Sequence, residues 1–181
     1  MEVKEKLWTK KFITACITYF LVAASFNVLM PTIPIYLSQV MKVPQSKIGI
    51  VLSSYVIALL FFRPFSGFLV DIYNRKHLLI IGLVFFATSF IGYYFALTIM
   101  FFILVRFIHG ISWGLASVAN NTVPIDIIPA TRRAEGVGYF GVTSNIAMAI
   151  APYLGVFVYD NYGFNILVSV ALALAVLSVV M

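Results

Sequence analysis

The chain alternates long apolar runs with short charged or proline-containing breaks. The apolar runs cover residues 12–37, 48–70, 78–125, 136–158 and 164–181. A helix needs roughly 20 apolar residues to cross a bilayer. The run 78–125 is too long for one crossing, and its only ionisable residues are Arg106 and His109, so it divides near Thr98. The pattern therefore predicts six spans at about 12–37, 48–70, 78–97, 99–125, 136–158 and 164–181. Met30-Pro-Thr-Ile-Pro34 ends the first span, and Ser38 to Lys47 is a polar loop. Asp126 to Glu135 is a charged loop with Pro129 as a breaker, and Asp160-Asn-Tyr-Gly163 reads as a turn.

Composition agrees with this pattern. Of 181 residues, 62% are hydrophobic and 10% charged, with a mean hydropathy of +1.05. A soluble domain is about 45–50% apolar and about 25% charged, so the bilayer is the first expected partner. A net charge of +6 would point to nucleic acid in a soluble domain; here it points to basic loops beside anionic lipid, with no nucleic-acid partner. The single Cys16 excludes an internal disulfide. The first apolar run exceeds the roughly 7–15 residues of a signal sequence, so it reads as an uncleaved span. Lys4, Lys6, Lys10, Lys11, Arg75, Lys76, Arg132 and Arg133 fall on one side of the predicted spans, and Lys42 and Lys47 on the other. The excess places the N-terminus and the two most charged loops in the cytoplasm.

The most charged hairpin, Gly67-Phe-Leu-Val-Asp71-Ile-Tyr-Asn74-Arg75-Lys76-His-Leu-Leu79, joins the second and third spans. It resembles the signature loop G-x-L-x-D-x-x-G-R-K of the major facilitator superfamily of transporters. Gly67, Leu69, Asp71, Arg75 and Lys76 match it. Asn74 stands where Gly is usual, and Asn also tolerates the left-handed backbone of a tight turn. Ile72 stands where an Arg is common. In the loop from Asp126 to Gly136, the resemblance implies an ion pair between Arg75 and Asp126. It also implies that Asp71 sits near a helix N-terminus in a second half, where the helix dipole favours a carboxylate. Together they would latch a cytoplasmic gate. The alternative is solvated loop charges, worth about 0–1 kcal/mol.

In the fourth span, Arg106, His109, Trp113, Ser117 and Asn120 follow steps of three and four, forming one polar-aromatic stripe. An intramembrane Arg is costly and normally faces a cavity or a partner; the alternative is that Arg106 snorkels to the nearer surface. Arg106-Phe-Ile-His109-Gly110-Ile-Ser112 resembles the family motif R-x-x-Q-G-x-G, with His109 in place of Gln. The resemblance implies a role for Arg106 in cavity electrostatics and proton coupling. All six acids, Glu2, Glu5, Asp71, Asp126, Glu135 and Asp160, lie in tails, loops or helix ends. A coupled proton would then ride on His109 or on a carboxylate of the missing half; no cofactor beyond a proton gradient is expected. Gly110-Ile-Ser112-Trp-Gly114 also spells G-x-S-x-G. A nucleophile elbow needs a strand-to-helix turn and a separate base, so the chain does not read as an enzyme. No P-loop, metal-ligand cluster or filter-like ring is visible either.

The fifth span resembles the family's antiporter motif G-x8-G-x3-G-P-x2-G-G through Gly138, Ala147, Ala151, Pro152 and Gly155, with Val156 departing from the final Gly. Small residues four apart let helices approach closely, and Pro152 bends the helix. This motif implies the drug–proton antiporter branch of twelve-helix carriers. Arg63-Pro64, two turns before Asp71, reaches either the headgroups or the gate. Thr14, Thr18, Ser25 and Thr32 share a face of the first span, with Asn27 near its centre, suited to a cavity wall or to intrahelical bonds. Tyr19, Phe26, Tyr55, Trp113 and Tyr139 offer aromatic surface to an amphipathic solute.

The resemblance implies an all-α membrane protein of six transmembrane helices arranged as two inverted three-helix repeats, with residues 1–181 forming the N-terminal half of a carrier. It implies alternating-access transport of a small-molecule substrate, with proton-coupled efflux across a bacterial cytoplasmic membrane and a C-terminal six-helix half as partner. The other reading is a truncated or half-size membrane protein, inactive alone, that serves as a binding or assembly partner.

Overall fold

The computed structural model describes residues 5–181, and helices are the only regular elements among them. They are α1 (Lys10–Leu29), α2 (Thr32–Gln39), α3 (Gln45–Ile72), α4 (Arg75–Ile91), α5 (Ile99–Ile127) and α6 (Arg133–Val180). Short 3-10 turns at Gly92–Phe95 and Ala130–Arg132 follow α4 and precede α6.

Side chains start three of these helices. The Thr9 hydroxyl accepts from the Phe12 N–H at 3.3 Å, and the Thr98 hydroxyl accepts from the Phe101 N–H at 3.3 Å. Asn74 was expected to supply a left-handed turn residue. Instead its φ is −61° and ψ 117°, and its amide oxygen accepts from Lys76 and His77. An N-cap prefers a short polar side chain, which is what the tight hairpin needs before α4.

Among the described residues, five apolar helical stretches are long enough to cross a bilayer: Lys10–Gln39, Gln45–Ile72, Arg75–Phe95, Ile99–Ile127 and Ala130–Val180. Two boundaries differ from the sequence reading. The Pro31 break does not end the first span, because α2 resumes at Thr32 and carries it to Gln39. The turn expected at Asp160–Gly163 shrinks to one residue: helical backbone continues through Tyr162, and Gly163 alone departs, with φ 81° and ψ 176°. That conformation is open to glycine and strained for any other residue. At 1.5 Å per residue the 48 residues of α6 would extend about 72 Å if unbroken, over twice the roughly 30 Å of bilayer hydrocarbon. Gly163 is where this element breaks.

The core lies where α1, α4, α5 and both parts of α6 meet, through Val22, Val28, Phe86, Ala116, Ala147 and Leu167. The α1–α6 and α3–α5 crossings are the most extensive. Large apolar side chains stay uncovered on α3 (Phe61, Phe65, Phe68) and α6 (Tyr153, Leu154, Phe157). Exposed apolar surface of this extent suits lipid or another helical face, not water.

Candidate functional site

The centre of the bundle holds a charged side chain sealed from the surface. Arg106 is 1% exposed and His109 0%. Helical spacing on α5 stacks them one turn apart, and α1, α3 and α4 close over them. The Arg106 guanidinium lies 4.6 Å from the centre of the Tyr55 ring, a cation–π contact that gains strength when desolvated. Its Nη2 donates to the Met30 sulfur at 3.8 Å, beside the α1–α2 break. No carboxylate pairs with Arg106 among the described residues. It does not snorkel outward; it is buried inside the helix bundle.

Aromatic rings enclose His109. Phe86 and Phe90 lie with centroids 4.7 Å from the imidazole, and Tyr55 stands edge-on at 5.6 Å. The Tyr93 hydroxyl and His109 Nδ1 share a hydrogen bond of 3.0 Å. Tyr55 Oη, Arg106 Nε and His109 Nε2 have no hydrogen-bond partner among the described residues. Buried polar groups are nearly always satisfied, so three such atoms in one cluster make this the candidate functional site.

The structure brings together part of the sequence-derived set. Phe26, Tyr55 and Trp113 share the His109 cluster, with Phe26 stacked on Tyr55 at 5.0 Å and parallel to Trp113 at 6.3 Å. Tyr19 and Tyr139 fall elsewhere: Tyr19 stacks on Phe140, and Tyr139 lies against Trp8. Asn27 donates to the Ala23 carbonyl of its own helix at 2.7 Å. Ser25 and Thr32 also bond within the first span. Asn120 is buried, with its Nδ2 unpartnered among the described residues, and lies away from the Arg106 cluster. Ser112 donates to the His109 carbonyl at 2.7 Å in the middle of α5, so no strand-to-helix turn presents it. Sequence reasoning missed Tyr93, Phe86, Phe90 and Met30, which reach the site from other elements and share no spacing with α5.

At the basic end of the bundle the hairpin meets α5. Arg75 Nη1 lies 2.8 and 3.0 Å from the two Asp126 carboxylate oxygens. Their side chains are 41% and 51% exposed, so solvent screens the pair. Gly67 has open space around it, and Asp71 and Lys76 are exposed. Glu5 accepts from the Thr131 hydroxyl at 3.2 Å and its carbonyl from Arg132 at 3.2 Å. These contacts gather the N-terminal segment, the hairpin and the loop before α6 at one end.

Along α6, Ala147, Ala151 and Gly155 are buried, and a Cβ on Gly155 would overlap the Val28 carbonyl oxygen. Pro152 lies inside the helix. Gly138 is exposed with open space beside it. The buried glycine at that end is Gly136, against the Ile128 side chain.

The sequence profile of the Major Facilitator Superfamily matches residues 15–181. The chain belongs to this superfamily of membrane transporters. An uncharacterized MFS-type transporter of Methanocaldococcus jannaschii is 28% identical over 147 residues, covering 81% of this chain and 38% of that protein. The quinolone resistance protein NorA of Staphylococcus aureus is 27% identical over 140 residues, covering 76% of this chain and 35% of NorA. The chain thus spans little more than a third of the curated relatives it matches. The superfamily members are transporters, not enzymes, and the apolar helices make this chain an integral membrane protein.

Proposed function

We propose that this chain forms the N-terminal half of a secondary transporter exporting an amphipathic, drug-like solute in exchange for protons. The observation that carries this reading is Arg106, a buried intramembrane cation without a carboxylate partner among the described residues. Such residues belong to solute and ion pathways. The relative named a quinolone resistance protein supports the drug-export branch. The uncovered apolar faces of α3 and α6 support docking of a second six-helix half. Breaking α6 at Gly163 gives six spans. Their two main crossings exchange under a repeat that relates spans one to three with spans four to six: α1 on the first part of α6, and α5 on α3. That supports two inverted three-helix repeats. Arg75–Asp126 would hold the basic end closed, with Asp71 free to reach the partner half. The basic end would face the cytoplasm of a bacterial cell, by the positive-inside rule.

The test uses the natural full-length frame in an exporter-deficient bacterium loaded with a lipophilic dye. The wild-type frame should lower dye accumulation, and Arg106→Met or Asp71→Asn should restore it. A protonophore should abolish the wild-type effect. Dye levels equal to empty vector in the wild type would overturn drug export, and protonophore-insensitive efflux would overturn proton coupling. For orientation, Asn74→Cys should resist an impermeant maleimide in intact cells and Ser38→Cys should react; the reverse pattern would invert the topology.

A further inference from the structure

A second polar site lies away from the Arg106 cluster. A cavity of about 920 Å³ opens between α1, the α3–α4 hairpin, α5 and the end of α6. That is within the roughly 300–1,000 Å³ range of small-molecule sites. Asn120 borders it; this residue is 2% exposed, and its Nδ2 donor is covered and finds no partner among the described residues. Thr14 and Thr18 line it from α1. Lys10, Lys11 and Lys76 also line it, and none of the three forms an ion pair among the described residues. The Arg75 guanidinium in the same lining is taken by Asp126, and Asp71 is the other acid there. Cations thus outnumber carboxylates four to two. The remaining wall is apolar, through Leu79, Leu83 and Val179.

We propose that this cavity binds a phosphate-bearing anion, with its oxygens facing the three unpaired lysines and, once the Asn120 side chain turns toward the cavity, its amide donor. Phosphate suits the lining because its oxygens accept hydrogen bonds, while the lining supplies donors and an excess of positive charge. A divalent cation would meet four like charges. A lipid phosphate and a free phosphate share this recognition, and the apolar wall adds a surface that only the lipid uses. The proposal concerns binding and does not depend on transport or on orientation.

The experiment measures the thermal unfolding midpoint of the purified full-length frame in nonionic detergent. The probes are short-chain phosphatidylglycerol, short-chain phosphatidylcholine and inorganic phosphate. A ligand that binds the folded state raises the midpoint with concentration. Phosphatidylglycerol should raise it, and phosphatidylcholine, with its neutral headgroup, should not. The shift should disappear in the combined Lys10→Gln, Lys11→Gln, Lys76→Gln variant and in Asn120→Leu, and persist in Lys42→Gln, Lys47→Gln at the other end. The triple lysine variant changes exposed side chains and keeps the fold, so its result stands if Asn120→Leu does not fold. A shift with phosphatidylglycerol alone assigns the site to a lipid headgroup; an equal shift with inorganic phosphate assigns it to the free anion. No shift with either, an equal shift with phosphatidylcholine, or a shift that survives the triple variant overturns the site.

Discussion

The two main crossings of the bundle close in the same way but enclose different chemistry. Where α1 meets α6, the Val28 carbonyl lies against Gly155; where α3 meets α5, the Tyr55 carbonyl lies against Gly110. Each glycine lets backbone approach backbone, the common device of helix pairs in lipid. Beside Gly155 the seam is apolar, with Ala147 and Ala151 on the same face. Beside Gly110 the seam holds Arg106 under the Tyr55 ring and His109 against Tyr93. The pair separates two tasks. Close packing holds both crossings, and the charge adds a polar centre that packing alone does not call for.

The largest effect should come from filling either seam. Gly155→Val should lose about 3 kcal/mol or more, because a side chain there meets backbone that cannot swing aside. Gly110→Ala should lose about 2–3 kcal/mol. Size-exclusion profiles of the full-length frame in detergent would check both, and a normal profile for Gly155→Val would show that the α1–α6 crossing is looser than described. The charge can be separated from the packing with Arg106→Met. Transport should fall to background while the melting temperature holds or rises, since an apolar side chain of similar volume removes an uncompensated buried cation. A large drop in melting temperature would mean that the Tyr55 and Met30 contacts hold the crossing.

Tyr93→Phe removes the partner of His109 Nδ1 and should cost about 1–3 kcal/mol, because the imidazole stays buried with an unmet group. Thermal denaturation would detect this, and an unchanged midpoint would mean that His109 finds another partner. The exposed latch should matter least to stability. Arg75→Gln or Asp126→Asn should change it by about 0–1 kcal/mol, while altering access to the basic end. The exchange Arg75→Asp with Asp126→Arg should recover transport lost in the single variants, and failure to recover it would separate gating from this pair. As the control on the glycine comparison, Gly138→Ala, with open space for the added Cβ, should leave the protein as stable as wild type or more stable by about 0.5–1 kcal/mol in the same melts.

Much of this was legible along the chain. Arg106 and His109 were marked by helical spacing on an apolar element, a pattern that survives whatever packs around it. Arg75 and Asp126 were found through the loop motif, 51 positions apart in sequence. The motif over α6 was legible only in part. At 3.6 residues per turn Gly138 lies about 100° around the helix from Gly155, so it could not share that seam. Phe86, Phe90 and Tyr93 do follow a helical i, i+4, i+7 spacing, but an apolar face of that kind does not say which helix it meets, and Met30 carried no signal of its own. Asn74 was read as a turn residue although its side chain caps a helix, since Asn suits both tasks and only the backbone angle separates them.

The sequence by itself determined that this protein lives in a membrane, that its helices are long and apolar, and that its charges gather at the breaks. Each follows from the cost of placing polar groups in hydrocarbon, and that cost is counted residue by residue along the chain. Only the tertiary structure decided that Arg106 is sealed beneath Tyr55, which glycines bear a neighbour's backbone, and that α6 breaks at Gly163 alone. Those outcomes depend on what each helix face meets, and the meeting face belongs to a distant part of the chain.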